Sequence, residues 1–445
     1  MIALSGPRAQ DVLASLRDYD PVVQRYRAFF AYLDWTVIPE RDATRAWPGA
    51  IPHPTSAYVK ALLIKVCEHK DYVTQLRAFL VEHPLLVLEI GFRPVWDATQ
   101  PYGFDVERTV PCDRWLRHWQ QHLDNALLRA VLRRTVQDLQ AAIPGLGQTV
   151  AYDVKHIYAW VQQNNAKAYV PDRYNPACQP TGDPDCRLGV KTSSNQVTGD
   201  GATKVTKEHV WGYGSGVAAA TDPRYGDVVL AEFTQPFNEV DSTYYHPLYA
   251  RTVATLGCRP CNVTADAAFD AWHIYQTCAL HGGIAAIPLN LRGHPPPQRR
   301  SDGTPLCPKG FAMSPSYVFA HTDGYRAQEF RCPLLHPQPT PQTCDHDQFA
   351  TGRGCVKHIN IEAGGLMRVL LDRDSTAYKD LYRQRTAAER INAQAKALGI
   401  ERPKVRNGAS VRNLNTLTYL VINVQALQRA QAVTAHTPTP TPMLC

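Results

Sequence analysis

The sequence predicts a mixed α/β fold: a sheet with flanking helices, preceded by a helical domain and interrupted by a proline- and cysteine-rich insert. Three observations predict it. Apolar residues recur at helical spacing before "PGLG" (144–147), and beyond it shorter strand-like runs alternate with helices. Between residues 292 and 354 the periodicity gives way to prolines and scattered cysteines. At 445 residues the chain is long for a single domain. The boundaries predicted are a helical domain over 1–145, a sheet-bearing core over 146–291 and 355–430, an insert over 292–354 and a disordered tail over 431–445.

In chain order, "SAYVKALLIKVCEHKDYVTQLRAFLVEH" (56–83) predicts helix with a break near His69–Asp71. "PCDRWLRHWQQHLDNALLRAVLRRTVQDL" (111–139) predicts one long amphipathic helix, opened by Asp113 and made basic by Arg114, Arg117, Arg129, Arg133 and Arg134. "QTVAYDV" (148–154) predicts a strand ending in an acid, and "EHVWGYGSGVAAA" (208–220) and "DVVLAEFTQPF" (227–237) predict strands split by the turn "TDPRYG". The glycines of "GYGSG" lack the third glycine and following helix of a dinucleotide fingerprint, so they belong to a strand. A helix follows over 242–257, capped by Asp241 or Ser242. "CNVTADAAFDAWHIYQTCALHG" (261–282) predicts strand, acid and helix, and 283–291 another strand. Past the insert, "VKHINIEAG" (356–364) returns to strand, and helices cover 377–399 and 410–430.

Hydrophobic content of 44% and charged content of 20% describe an ordinary globular protein. The formal charge of +7 is compatible with nucleic acid without requiring it. No apolar run reaches the length of a membrane span, and "MIALSGPRAQDV" lacks a signal-peptide layout. A cytosolic setting follows, in which the 12 cysteines are free thiols or metal ligands.

The informative stretch is "YRQRTAAERINAQAK" (382–396). On a helix, with Tyr382 at zero, Arg385, Glu389 and Lys396 fall at roughly 300°, 340° and 320°. Leu381, Ala388, Ile391, Ala395 and Leu398 occupy the other side. One acid among cations and an aromatic suits a carboxylate that holds a metal ion beside a phosphate backbone; a solvated helix face is the plain alternative. Two further acids match it in kind: Asp153 after "TVAY" and Asp266 after "CNVTA". Acids at strand ends can share divalent cations, although such residues also serve as turn caps.

Tyr382, two residues, Arg385, three residues, Glu389, six residues, Lys396 resembles the Y-R-E-K signature of bacterial insertion-sequence transposases. These are DDE enzymes with a ribonuclease H-like catalytic core. "DAAF" (266–269) resembles that family's second block, and "AYD" followed by "VKHIYAW" more loosely its first. The resemblance spans 148–430 and implies a ribonuclease H-like mixed sheet. It implies Asp153, Asp266 and Glu389 as the triad for two Mg²⁺ or Mn²⁺ ions. It implies Tyr382, Arg385 and Lys396 as contacts to transposon-end DNA, cleavage, joining of 3′ ends to double-stranded target DNA, a homodimeric synaptic complex and a nucleoid-associated bacterial protein. A non-cutting derivative and a nuclease of the same fold without strand transfer are the competing readings.

"ERPKVRNGASVRN" adds Arg402, Lys404, Arg406 and Arg412 as a second phosphate-contacting stretch or as plain surface charge. In the insert, Cys307, Cys332, Cys344 and Cys355 could form a structural Zn²⁺ site, or stay uncoordinated, since no CxxC pair is among them. Cys258 and Cys261 in "GCRPCN" read as a tight turn. Trp272 reads as core packing or as a platform for an unpaired base. Asp270 is the alternative to Asp266; it lies deeper in the expected helix, so Asp266 is preferred.

Overall fold

The computed structural model describes residues 7–40, 44, 51–197, 203–291 and 296–436. The chain divides into two compact units. Unit 1 contains Met1–Gly147, Asp153–Cys258 and Ala387–Cys445; unit 2 contains Gln148–Tyr152 and Arg259–Thr386. The helices of residues 1–145, expected as a domain of their own, therefore belong to a larger unit. Among the described residues no helix is long and apolar enough to cross a membrane.

Unit 1 is built on antiparallel strands. The second half of β1 (Thr149–Tyr158) lies beside β3 (Thr203–Asp222), which also pairs with β2 (Arg187–Val197) and β4 (Gly226–Pro236). The β3–β4 register runs from Tyr213↔Pro236 to Asp222↔Gly226. Its turn is the expected one: the Asp222 carboxylate accepts from the Arg224 and Tyr225 amides at 2.8 and 3.2 Å. The "GYGSG" glycines do belong to a strand. A Cβ on Gly212 would stand 2.0 Å from the Ile157 carbonyl oxygen, and one on Gly214 2.0 Å from the Tyr244 hydroxyl. β1 and the helix Tyr245–Leu256 approach β3 closely because those positions lack side chains. β2 has no counterpart in the sequence reading. It pairs with β3 alone, and Arg187, Val190 and Thr192 are exposed, so little apolar alternation announces it.

The C-terminal helix Gly408–His436 is the core of unit 1. Val411, Leu417, Leu420, Ile422 and Val424 are buried, and so are Asn413, Asn415, Thr416 and Asn423. A helix apolar and polar on its buried sides needs a bond for each polar group. Asn413 donates to the carbonyls of Gln120 and Leu123, Asn415 to Thr234, and Thr416 to Glu232. Asn423 accepts from the Val229 amide at 2.9 Å, donates to the Val229 carbonyl at 2.9 Å and reaches Thr135 at 3.0 Å. This helix continues to His436, so residues 431–436, expected in a disordered tail, are helical; residues 437–445 lie outside those described.

Unit 2 carries the parallel part. The first half of β1 pairs with β5 (Asn262–Ala265) from Thr149↔Asn262 to Tyr152↔Ala265, and β5 pairs with β6 (Ala285–Ala286). The helix Ala363–Leu370 packs against the helix Trp272–Ala279. A Cβ on Gly364 would stand 2.3 Å from the Gln276 amide nitrogen, so glycine sets that approach. The insert is not structureless. β7 (Ser314–Ala320), β8 (Arg326–Arg331) and β9 (Val356–Asn360) form an antiparallel sheet in the order β9-β8-β7. "VKHIN" is a strand, as expected, but it pairs with the insert's β8 rather than with the core strands. Prolines and short strands hid this alternation.

Two expected helices are broken. The one over 111–139 splits into Asp113–His122 and Asn125–Ala142, because Asp124 caps the second by accepting from the Ala126 amide at 2.8 Å. The one over 377–399 splits into Thr376–Arg383 and Thr386–Ala397.

Replacing Asn423 with alanine strands the Val229 amide and carbonyl in a buried place and should cost about 2–4 kcal/mol. Urea unfolding checks this; an unchanged midpoint would refute the role given to Asn423.

Candidate functional site

Asp153 sits mid-strand, five residues before the end of β1, and not at a strand end as the sequence suggested. Its Oδ1 accepts from the Val154 amide at 2.9 Å, and its Oδ2 accepts from Asn392 Nδ2 at 2.9 Å. Asn392 lies three residues after Glu389 on the helix Thr386–Ala397, so the two share one side of it. Within unit 1 the strand acid and the helix acid are thereby brought to one neighbourhood. A second tie fixes the rotation of that helix. Arg390 grips both oxygens of the buried Asp227 on β4, at 2.7 and 2.6 Å. Ala387, Ala388, Ile391 and Ala395 face the core, leaving Glu389 and Lys396 exposed.

Lys396 is oriented by an acid the sequence reading missed. Its Nζ stands 3.1 Å from Glu401, which also takes Lys155 at 2.7 Å. Burial pushes the Glu401 carboxyl up, but its bonds to the two lysines outweigh burial and hold it below its ordinary value. Asn392 was missed because an amide is neither a titratable group nor a cation, and Glu401 because the stretch it opens was read for its basic residues; only their spacing to Glu389 and Lys396 hints at them.

Arg412 lies on the C-terminal helix of unit 1, and unit 2 holds Asp266, Asp270, Tyr382 and Arg385. Asp266 follows the last β1–β5 pair, Tyr152↔Ala265, and caps the turn Ala267–Phe269 by accepting from the Ala268 amide at 2.9 Å. Asp270 is otherwise employed. It accepts from Arg368 at 2.7 and 2.6 Å, from the Asn290 amide at 2.8 Å and from the Tyr275 hydroxyl at 3.0 Å. Its acceptor sites are filled, which favours Asp266 as the ligand. The single stripe drawn through Tyr382, Arg385, Glu389 and Lys396 is corrected by the break at Gln384–Arg385. There the Gln384 and Arg385 amides bond three residues back, and the Thr386 hydroxyl donates to the Arg383 carbonyl at 2.9 Å. The 100° count cannot be carried across such a turn. Tyr382 stacks on Tyr378 with centroids 5.8 Å apart, and the Arg385 guanidinium lies over Tyr382 at 5.3 Å. Trp272 packs edge-on against Tyr325.

Among the described residues no group of three or more His, Cys, Asp or Glu side chains is set to hold a metal ion. Cys307 and Cys355 pack with Met313 in a buried cluster, Cys332 is buried and Cys344 half-buried. Burial, and then the nearby thiols of Cys332, Cys307 and Cys344, push Cys355 up. Asp153, Asp266 and Glu389 are hard oxygen donors of the type Mg²⁺ and Mn²⁺ take, and each of the two aspartates has one oxygen turned to a backbone amide.

Residues 189–424, just over half of the chain, match the family model described as transposase DDE domain. The match takes in Asp266 and Glu389 and begins after Asp153. No curated protein matches the chain.

Asp270 offers a direct check on which acid is structural. Its side chain is 1% exposed and burial pushes its pKa up, yet the Arg368 bonds win and leave it depressed. Asp270→Asn should cost about 2–4 kcal/mol at neutral pH, below the usual range for a buried pair because Arg368 is 34% exposed. A depressed carboxylate stabilises above its unfolded pKa of about 3.9 and loses that contribution as pH falls through its folded value. The gap between wild type and variant should therefore close below about pH 4 in acid unfolding. A gap that persists would refute the ion-pair assignment.

Proposed function

The chain belongs to the transposase DDE domain family, and from that premise we propose that it binds the ends of its own insertion sequence, cleaves them and joins the 3′ ends to target DNA. Asp153, Asp266 and Glu389 are the residues that would hold two divalent ions, Mg²⁺ or Mn²⁺. When bound, such ions supply an activated water and stabilise the leaving oxygen of an in-line displacement.

The observation that carries this reading is the Asn392–Asp153 hydrogen bond. It ties the strand that carries Asp153 to the helix that carries Glu389, two acids far apart in sequence. Asp266, the first residue beyond the parallel β1–β5 pairing, supports the third position. The remaining groups suit a phosphate backbone. Lys396 is a point charge steadied by Glu401, and Arg385 is a fork held against Tyr382. Asn392 keeps the Asp153 carboxylate turned toward the helix, and the Arg390–Asp227 grip holds the helix itself. These groups orient acids and phosphates; they do not transfer protons.

The test pairs two variants with an in vitro cleavage assay on end-containing duplex in Mg²⁺ or Mn²⁺. Glu389→Gln should lower cleavage at least roughly 10²-fold, with end binding and thermal stability near wild type. Asp266→Asn should behave the same way, unlike Asp270→Asn, which loses stability. Cleavage by Glu389→Gln at the wild-type rate would end the assignment. A precut end, offered with target DNA, separates joining from simple hydrolysis.

A further inference from the structure

We propose that unit 1 carries a preformed groove for the phosphate backbone of DNA, walled by Trp160, Arg402, Lys404 and Arg406. The proposal rests on the transposase reading above. Burial alternates along 402–406: Arg402 and Arg406 are exposed, Lys404 is half-exposed, and Pro403 and Val405 between them are buried. The three cations thus stand on the solvent side of this stretch, and all three line one cavity.

Aromatic rings hold two of these cations in place before any ligand arrives. The Arg402 guanidinium lies 4.0 Å from the Tyr158 ring centre, and that of Arg406 lies 4.8 Å from Trp160. The opposite wall is also fixed. Asn164 donates to the carbonyls of Ala159 and Trp211 at 2.8 and 2.7 Å and accepts from the Trp211 amide at 3.1 Å. A planar fork already ordered by stacking loses less freedom on meeting a phosphate.

The groove is long enough for more than one phosphate. A cavity of about 480 Å³ lined by Tyr158, Trp160, Arg402, Lys404 and Arg406 adjoins one of about 390 Å³ that shares Trp160, Lys404 and Arg406 and adds Arg117. A third, of about 220 Å³, shares Lys404 and adds Lys70. Asp71 is the one acid lining the three. The nearby Glu401 is already taken by Lys155 and Lys396, and Glu208 accepts from the Tyr158 hydroxyl. The chemistry is that of a polyanion with repeating phosphates. Tyr158 lies five residues beyond Asp153 on β1, about 17 Å at strand rise, or about five phosphate steps of duplex. The groove would thus grip DNA on one side of the cut.

The test is fluorescence anisotropy of a labelled end duplex and a scrambled duplex, titrated with NaCl, using full-length protein and the triple variant Arg402→Gln, Lys404→Gln, Arg406→Gln. The slope of log affinity against log salt should become shallower by about 2–3. Low-salt affinity should fall at least roughly tenfold, equally for both duplexes. Circular dichroism monitors folding; should the triple variant misfold, the single variants Arg402→Gln and Arg406→Gln, both at exposed positions, should each reduce the slope by about 1. A folded variant with the wild-type slope and affinity overturns the groove, even if the wild type cuts DNA. Loss of slope in a protein that never cuts would uphold the groove and count against the transposase reading alone.

Discussion

A run of buried polar contacts links the C-terminal helix of unit 1 to the helix that carries Glu389. Asn423 completes the backbone bonds of Val229 on β4. Two residues earlier on the same strand, Asp227 holds Arg390 through both its oxygens. Arg390 adjoins Glu389, and Asn392 on the next turn fastens the helix to Asp153. The buried members of this run, Asn423, Asp227 and Asn392, are not tolerable in the interior alone, because an unmet amide or carboxylate there costs more than a typical hydrogen bond returns. The need to pair them fixes the strand, the helix rotation and the direction of the acid together.

That dependence explains why so much of the supporting structure is polar. A helix buried on most sides packs well with aliphatic residues but slides easily in register. Asn413, Asn415, Thr416 and Asn423 each have a named backbone or side-chain partner at a different level of the helix. They pin its register against the strands and against the helices ending near Leu123 and containing Thr135. A displacement by one residue would break several bonds at once.

The same economy shows in the acids. Asp227 and Asp270 are each gripped by an arginine fork and are spent on architecture. Asp153 spends one oxygen on the Val154 amide and the other on Asn392, Asp266 spends one on the Ala268 amide, and Glu389 lies at the surface. Hydrogen-bond accounting thus separates acids held in arginine forks from acids bonded to amides where residue type does not. The basic stretch at 402–406 is sorted in the same way: stacking on Tyr158 and Trp160 distinguishes its arginines from mobile surface cations.

The sequence alone determined a good deal. Periodicity placed the paired helices near 56–83, the β3–β4 hairpin with its Asp222 turn and the strand before Asp266. The spacing Tyr382, Arg385, Glu389, Lys396 pointed to insertion-sequence transposases of the DDE class, and residues 189–424 match a transposase DDE domain. These features are local or depend on residue identity, so a linear reading reaches them. Tertiary structure decided the rest. Whether Asp153 ends a strand depended on pairing with β3, and whether "VKHIN" joins the core depended on β8 being available. Asp124 and Thr386 cut two long periodic stretches because caps compete with helix continuation over a few tenths to one kcal/mol, roughly, which no periodicity count resolves. Which acids are held in ion pairs depends on distant residues brought together, as Arg368 is to Asp270 and Arg390 to Asp227, not on the letters beside them.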